Sequence, residues 1–117
     1  MKNVSMMKVI GGLLVSFSAI ALATPSYAFD EDAAKETFKR NECTKCHAVN
    51  RDKKGPSLQK IAKELKGKAD AQDKIIKNIT TGPKVKLLDS GKEEEHKIID
   101  TKDPKELKNL VEWILSH

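Results

Sequence analysis

Cys43-Thr44-Lys45-Cys46-His47 decides how the rest of this chain is read. The stretch has the form C-x-x-C-H, the attachment sequence of a c-type haem. Two thiols three positions apart can each add across one vinyl group of a porphyrin, forming two thioethers. The next residue then stands under the iron, and imidazole is a common proximal ligand of haem iron. Two other chemistries use paired cysteines. A redox dithiol wants a strand before the motif and a βαβ setting, and the sequence offers neither. Half of a zinc site wants a second Cys/His pair. Cys43 and Cys46 are the whole cysteine complement, however, and His96 and His117 are too scattered for H-x₃₋₅-H. The motif therefore predicts one covalent haem c per chain, anchored by Cys43 and Cys46 with His47 on the iron.

Before the motif, Met1 to Lys8 carries Lys2 and Lys8 and no acid. Val9 to Ala23 is apolar apart from small residues, and Ser26-Tyr27-Ala28 offers small side chains at the −3 and −1 positions. This is the pattern of a secretory signal peptide cut after Ala28. An uncleaved anchor is the competing reading. The apolar run of about 15 residues falls short of the roughly 20 needed to span a bilayer. The expectation is a signal peptide over 1–28 and one domain over 29–117, exported to the periplasm with no membrane span after cleavage.

A domain of that size builds a modest core, and small domains commonly need a staple. A covalently held porphyrin would serve. Beyond residue 28 the aromatic side chains are Phe29, Phe38 and Trp113, which suits a core whose largest ring is the cofactor. Export also fits the cysteines. Two free thiols in an oxidising compartment tend to close into a disulfide, a fate that thioether formation removes.

The formal charge of +5 includes Lys2 and Lys8; without them 20 basic residues face 17 acidic ones, leaving +3. Two haem propionates would bring the domain close to neutral, so its charge gives no argument for nucleic-acid binding. Lys39, Arg40, Lys45, Arg51, Lys53 and Lys54 cluster around the motif. They read equally as a solvated lysine surface or as a docking patch for an acidic redox partner.

Four helices can be read. The first runs from Glu31 to Glu42, with Ala34 and Phe38 on one face and acids at its start. The second, Ser57 to Lys66, places Leu58, Ile61, Ala62 and Leu65 at helical spacing, with Ser57 as N-cap and Gly67 beyond the end. The third, Asp70 to Ile79, carries Ile75, Ile76 and Ile79 and stops near Gly82-Pro83. In the last, Asp103 caps, Pro104 takes the first position and Glu106 completes a capping box. Leu107, Leu110, Val111, Ile114 and Leu115 form its apolar stripe, with Trp113 beside it. No stretch alternates with period two, so no sheet is predicted. Arg51 to Pro56 reads as a short basic loop. Thr81 to Lys102 reads as a long polar one, of the kind that is uncommon unless functional or disordered. The fold class is all-α.

With those residues in order, the stretch from Phe29 to His117 resembles a class I c-type cytochrome. The resemblance rests on the first helix with Phe38, the Cys43-x-x-Cys46-His47 motif, Gly55-Pro56-Ser57-Leu58 after it, and the final amphipathic helix with Trp113. It implies about four helices packed around one haem, with Phe38 and Trp113 where the first and last helices cross. It also implies that the Pro56 carbonyl accepts the His47 Nδ1 proton, although an ordinary Gly-Pro turn reads the same way.

The departure concerns the sixth iron ligand. The family presents a methionine from the loop before its last helix, whereas Met1, Met6 and Met7 all lie in the leader. His96 stands about where that methionine would fall, with Ile98 and Ile99 beside it suggesting that the stretch turns inward. It also follows Glu93-Glu94-Glu95 and so reads equally as part of a surface charge run. Lys84, Lys86, Lys92 and Lys97 are further candidates, each bearing the cost of losing a proton. An open or water-bound face is the third option, and His117 lies beyond the last helix.

The resemblance implies an exported monomeric electron carrier, not an enzyme, exchanging single electrons with redox proteins that dock at the haem edge. Its iron would be held by His47 and His96. Two alternatives stay open: an open-faced domain that binds small molecules such as nitric oxide or carbon monoxide, and a dedicated subunit of an oxidoreductase complex.

Overall fold

The computed structural model describes residues 11–19 and 29–117. The expected cleavage point after Ala28 and most of the expected leader lie outside the described residues. Among the described residues, no helix is long and apolar enough to cross a membrane. Four helices carry the fold: α1 (Glu31–Arg40), α2 (Leu58–Leu65), α3 (Ala71–Thr81) and α4 (Pro104–Leu115), with a 3-10 turn at Cys43–Lys45.

Helix α1 begins where Asp30 accepts a hydrogen bond from the Ala33 backbone N–H at 3.0 Å. Glu31 and Asp32 lie in its first turn and Lys39 and Arg40 in its last, matching the helix dipole at both ends. Its buried face is Ala34, Thr37 and Phe38. The helix stops short of Glu42, because Glu42 takes the left-handed conformation (φ 57°), which ends the helix and aims the chain into the 3-10 turn.

Helix α4 lies against that face. Val111 is fully buried and Leu110 is 1% exposed. The Phe38 and Trp113 rings meet edge to face, with centroids 5.3 Å apart and planes at 69°. The Asn109 side chain exchanges two bonds with the Asp30 backbone, at 2.7 and 2.9 Å, pinning the start of α1 to the middle of α4. Asp103 caps α4 by accepting from Lys105 N at 3.0 Å. The capping box does not form, however. Glu106 turns away to accept from Thr37 Oγ1 at 3.0 Å and Arg40 Nη2 at 2.6 Å, while Asp103 N donates to Thr101 Oγ1.

The expectation of no sheet is corrected. Two short antiparallel strands, β1 (Lys84–Lys86) and β2 (Glu93–Glu95), form a hairpin inside the long loop. Lys84 faces Glu95 and Lys86 faces Glu93, so opposite charges stand across the ladder from each other. Three residues per strand are too few for a period of two to show in sequence. The hairpin leads back to His96, whose N–H donates to Pro83 O at 2.8 Å.

Candidate functional site

Three helices and the hairpin surround a cavity of about 700 Å³, within the roughly 300–1,000 Å³ typical of cofactor sites. Its walls are apolar: Leu58, Ile61, Leu65, Ile75, Leu110 and Ile114 contribute from α2, α3 and α4. Cys43, Cys46 and His47 line it from the motif, and Val85, Leu87 and His96 from the hairpin and the segment after it. Both thiols are free and partly buried. Burial pushes the Cys43 thiol up.

The 3-10 turn places the motif. Backbone bonds from Cys46 N and His47 N to Cys43 O, at 3.2 and 2.9 Å, coil the pentapeptide on itself. Gly55 N donates to Cys46 O at 2.8 Å, folding the 51–56 loop back under His47. His47 Nδ1 lies 2.6 Å from Pro56 O. A carbonyl can only accept, so Nδ1 carries the proton and Nε2 keeps its lone pair. Burial lowers the His47 pKa; the Pro56 carbonyl opposes this and nearby His96 adds to it, so the ring is kept neutral.

His96 has the same arrangement on the other side. Its Nδ1 lies 2.9 Å from Lys97 O, which again fixes the proton on Nδ1 and leaves Nε2 free. The His47 and His96 ring centroids are 6.1 Å apart, with planes tilted by 36°. A nitrogen–metal bond of about 2 Å plus about 1.2 Å from nitrogen to centroid, taken twice, gives about 6.4 Å for two imidazoles facing across one metal. An apolar cavity, two thiols beside one imidazole and a second imidazole at that separation fit a haem.

Two glycines make room here, Gly55 for the His47 ring and Gly82 for the backbone at His96, a role that sequence reading did not assign. A Cβ on Gly55 would stand 2.6 Å from His47 Cε1. Gly82 ends α3 at φ 61°, and a Cβ there would stand 2.8 Å from His96 O. Gly55 had a signal in its Gly-Pro-x-Leu context. Gly82 read only as a helix stop. His117 is elsewhere: it packs edge to face on Trp113 and its Nδ1 lies 2.9 Å from Trp113 O. Of the loop lysines, Lys86 and Lys97 line the cavity, and Lys97 is engaged with Glu42 at 3.0 Å.

A family model described as Cytochrome c matches residues 31–117. The chain belongs to the cytochrome c family. This cytochrome is 28% identical over 89 residues to cytochrome c-551 of Azotobacter vinelandii, covering 74% of this chain and 99% of that one. Among solved structures, it superposes on class 1 cytochrome MtoD of Sideroxydans lithotrophicus ES-1 with a TM-score of 0.71 and 52% identity, covering 76% of this chain and 97% of that one. Cytochrome c552 of Nitrosomonas europaea matches with a TM-score of 0.53 at 25% identity, over 70% and 96% of the two chains. The fold is that of a class I cytochrome, and the cytochrome carries covalently bound haem c. It is a single-haem electron carrier that works with redox partners.

Proposed function

We propose that this cytochrome carries single electrons with its haem iron held between His47 and His96. The observation that carries this reading is the pair of imidazoles 6.1 Å apart, each with Nδ1 on a backbone carbonyl and Nε2 free. When bound, the haem supplies one-electron exchange between ferric and ferrous iron. The chain does the rest. Cys43 and Cys46 tether the cofactor covalently, and Pro56 and Lys97 carbonyls fix both ring tautomers. Leu58, Leu110 and Ile114 keep water off the faces. Iron held by an imidazole on each side would offer no position to a substrate, which favours a carrier over an enzyme.

The leader supports export. A signal peptide over 1–28 would be removed before the haem domain of 29–117 matures in the periplasm, where the protein acts as a monomer. Mass determination of the mature protein should give a chain that begins at Phe29.

The ligand pair is tested with His96→Ala. The wild-type ferric protein should be six-coordinate and low-spin. The variant should become high-spin and bind carbon monoxide readily when reduced. A low-spin spectrum that is unchanged in His96→Ala would move the ligand to Lys86 or Lys97. A wild-type protein that is already high-spin would favour an open face that binds small ligands.

A further inference from the structure

Arg40 at the end of α1, and Asn41 and Glu42 between it and Cys43, all reach across to the segment that follows His96. Asn41 is 4% exposed. Its Oδ1 accepts from Asp100 N at 2.8 Å, and its Nδ2 donates to Asp100 Oδ1 at 3.0 Å and to Thr37 O at 2.9 Å. Arg40 holds the same Asp100 carboxylate through Nε at 3.0 Å and Nη2 at 3.3 Å. Glu42 accepts from Lys97 Nζ at 3.0 Å.

We infer that Asn41 is the positioning residue for the distal imidazole, setting how far His96 stands from His47 and how often it swings away. This rests on His96 being the distal ligand, as proposed above. Arg40 also reaches Asp100, but as an exposed ion pair that holds weakly, and the other ties on the segment run elsewhere. His96 N donates to Pro83 O and Ile99 N to Ile79 O, at 2.8 and 2.9 Å, so both bind it to α3 and the residues just after it. Those bonds leave the spacing to the motif unset. The bonds to Asn41 and Glu42 set it, because both residues lie within two positions of Cys43. Glu42–Lys97 is an exposed ion pair, half solvated on both sides, and such pairs hold weakly. Asn41 is buried, and leaving the Asp100 N–H without its partner there is costly. A cap for α1 needs only the bond to Thr37 O; the two bonds to Asp100 have no part in it.

The test is carbon monoxide binding to the reduced holoprotein, which reports how often the distal ligand is off the iron. Asn41→Asp keeps the side-chain volume and an acceptor for Asp100 N, but it loses the Nδ2 donor and sets a carboxylate against both the Asp100 carboxylate and the Thr37 carbonyl. It should raise the association rate about tenfold, equivalent to about 1.4 kcal/mol in the opening equilibrium. Amide hydrogen exchange at Ile99 and Asp100 should quicken with it. Exchanging the two partners in the double variant Asn41→Asp/Asp100→Asn restores the side-chain pair, but neither the bond to Thr37 O nor the Arg40–Asp100 ion pair, and should return the rate part of the way to wild type. Asn41→Asp protein that holds covalent haem yet binds carbon monoxide at the wild-type rate overturns the inference. A double variant as fast as the single one overturns it too. His96→Ala is measured alongside. If it changes neither spin state nor rate, the ligand reading itself fails; if it raises the rate and Asn41→Asp does not, only the positioning role falls.

Discussion

Gly55 faces the edge of the His47 ring so closely that a methyl group in place of its hydrogen would lie 2.6 Å from Cε1 and 3.0 Å from Nδ1. Gly55→Ala should therefore push the imidazole off the Pro56 carbonyl or spread the 51–56 loop. Overpacking of this kind costs about 1–3 kcal/mol. Thermal unfolding of the holoprotein should show the loss, and the absorption spectrum should report weakened proximal ligation. A variant with wild-type stability and spectrum would mean that the loop yields freely.

The reduction potential should lie below that of a Met/His cytochrome, because a thioether ligand raises the potential. The direct check is His96→Met. Potentiometric titration should place the variant above the wild type. An unchanged or lower value would count against residue 96 as the ligand.

Acid should weaken the ion pairs at the end of α1, those of Arg40 with Asp100 and Glu106 and those of Glu42 with Lys45 and Lys97. Hydrogen bonds from Lys45 and then Lys97 lower the Glu42 pKa from 4.5 to about 2. Arg40, then Asn41, lowers that of Asp100, and Thr101, Arg40 and Thr37 lower that of Glu106. A carboxyl with a lower pKa folded than unfolded stabilises the fold above its unfolded value, and the gain is lost as pH falls through the folded one. The loss should therefore run from about pH 4.5 down towards 2. Glu42 and Asp100 are exposed and Glu106 only partly buried, so the effect is small. In Arg40→Gln the melting temperature should depend less on pH across that window; superimposable acid limbs would remove Arg40 from the account.

Cofactor attachment should decide whether the domain folds. A cavity of about 700 Å³ walled by Leu58, Ile75 and Leu110 cannot stay dry and open in so small a core. Cys43→Ser/Cys46→Ser protein made without attached haem should lose its near-ultraviolet circular dichroism and bind a hydrophobic dye. A haem-free chain with a cooperative melt near that of the holoprotein would show that the helices suffice alone.

Much of this was legible in sequence because the signals were local. The Cys43-x-x-Cys46-His47 spacing fixes its chemistry without tertiary context. The caps at Ser57 and Asp103 and the stripe from Leu107 to Ile114 place helices by short-range rules. What stayed hidden was long-range. Glu106 has the right spacing for a capping box, yet Arg40 and Thr37, far away in sequence, offer it stronger partners. The strands β1 and β2 are held by pairing with each other, which neither run announces by itself. Asn41 reads in sequence only as a position near the end of the first helix, since its partner Asp100 lies 59 positions away.

The stem of β1 and β2 also makes the chain unequally tolerant of changes in length. An extra residue between Leu88 and Ser90 only enlarges the turn, leaving the Pro83–His96 bond in register. Deleting one residue between Glu93 and Glu95 shifts the strand by half a pleat and turns every later side chain to the opposite face. Lys97 would then stand where His96 does. Among relatives of this chain, insertions and deletions should gather at the hairpin tip, while the spacing from Glu93 to His96 is kept.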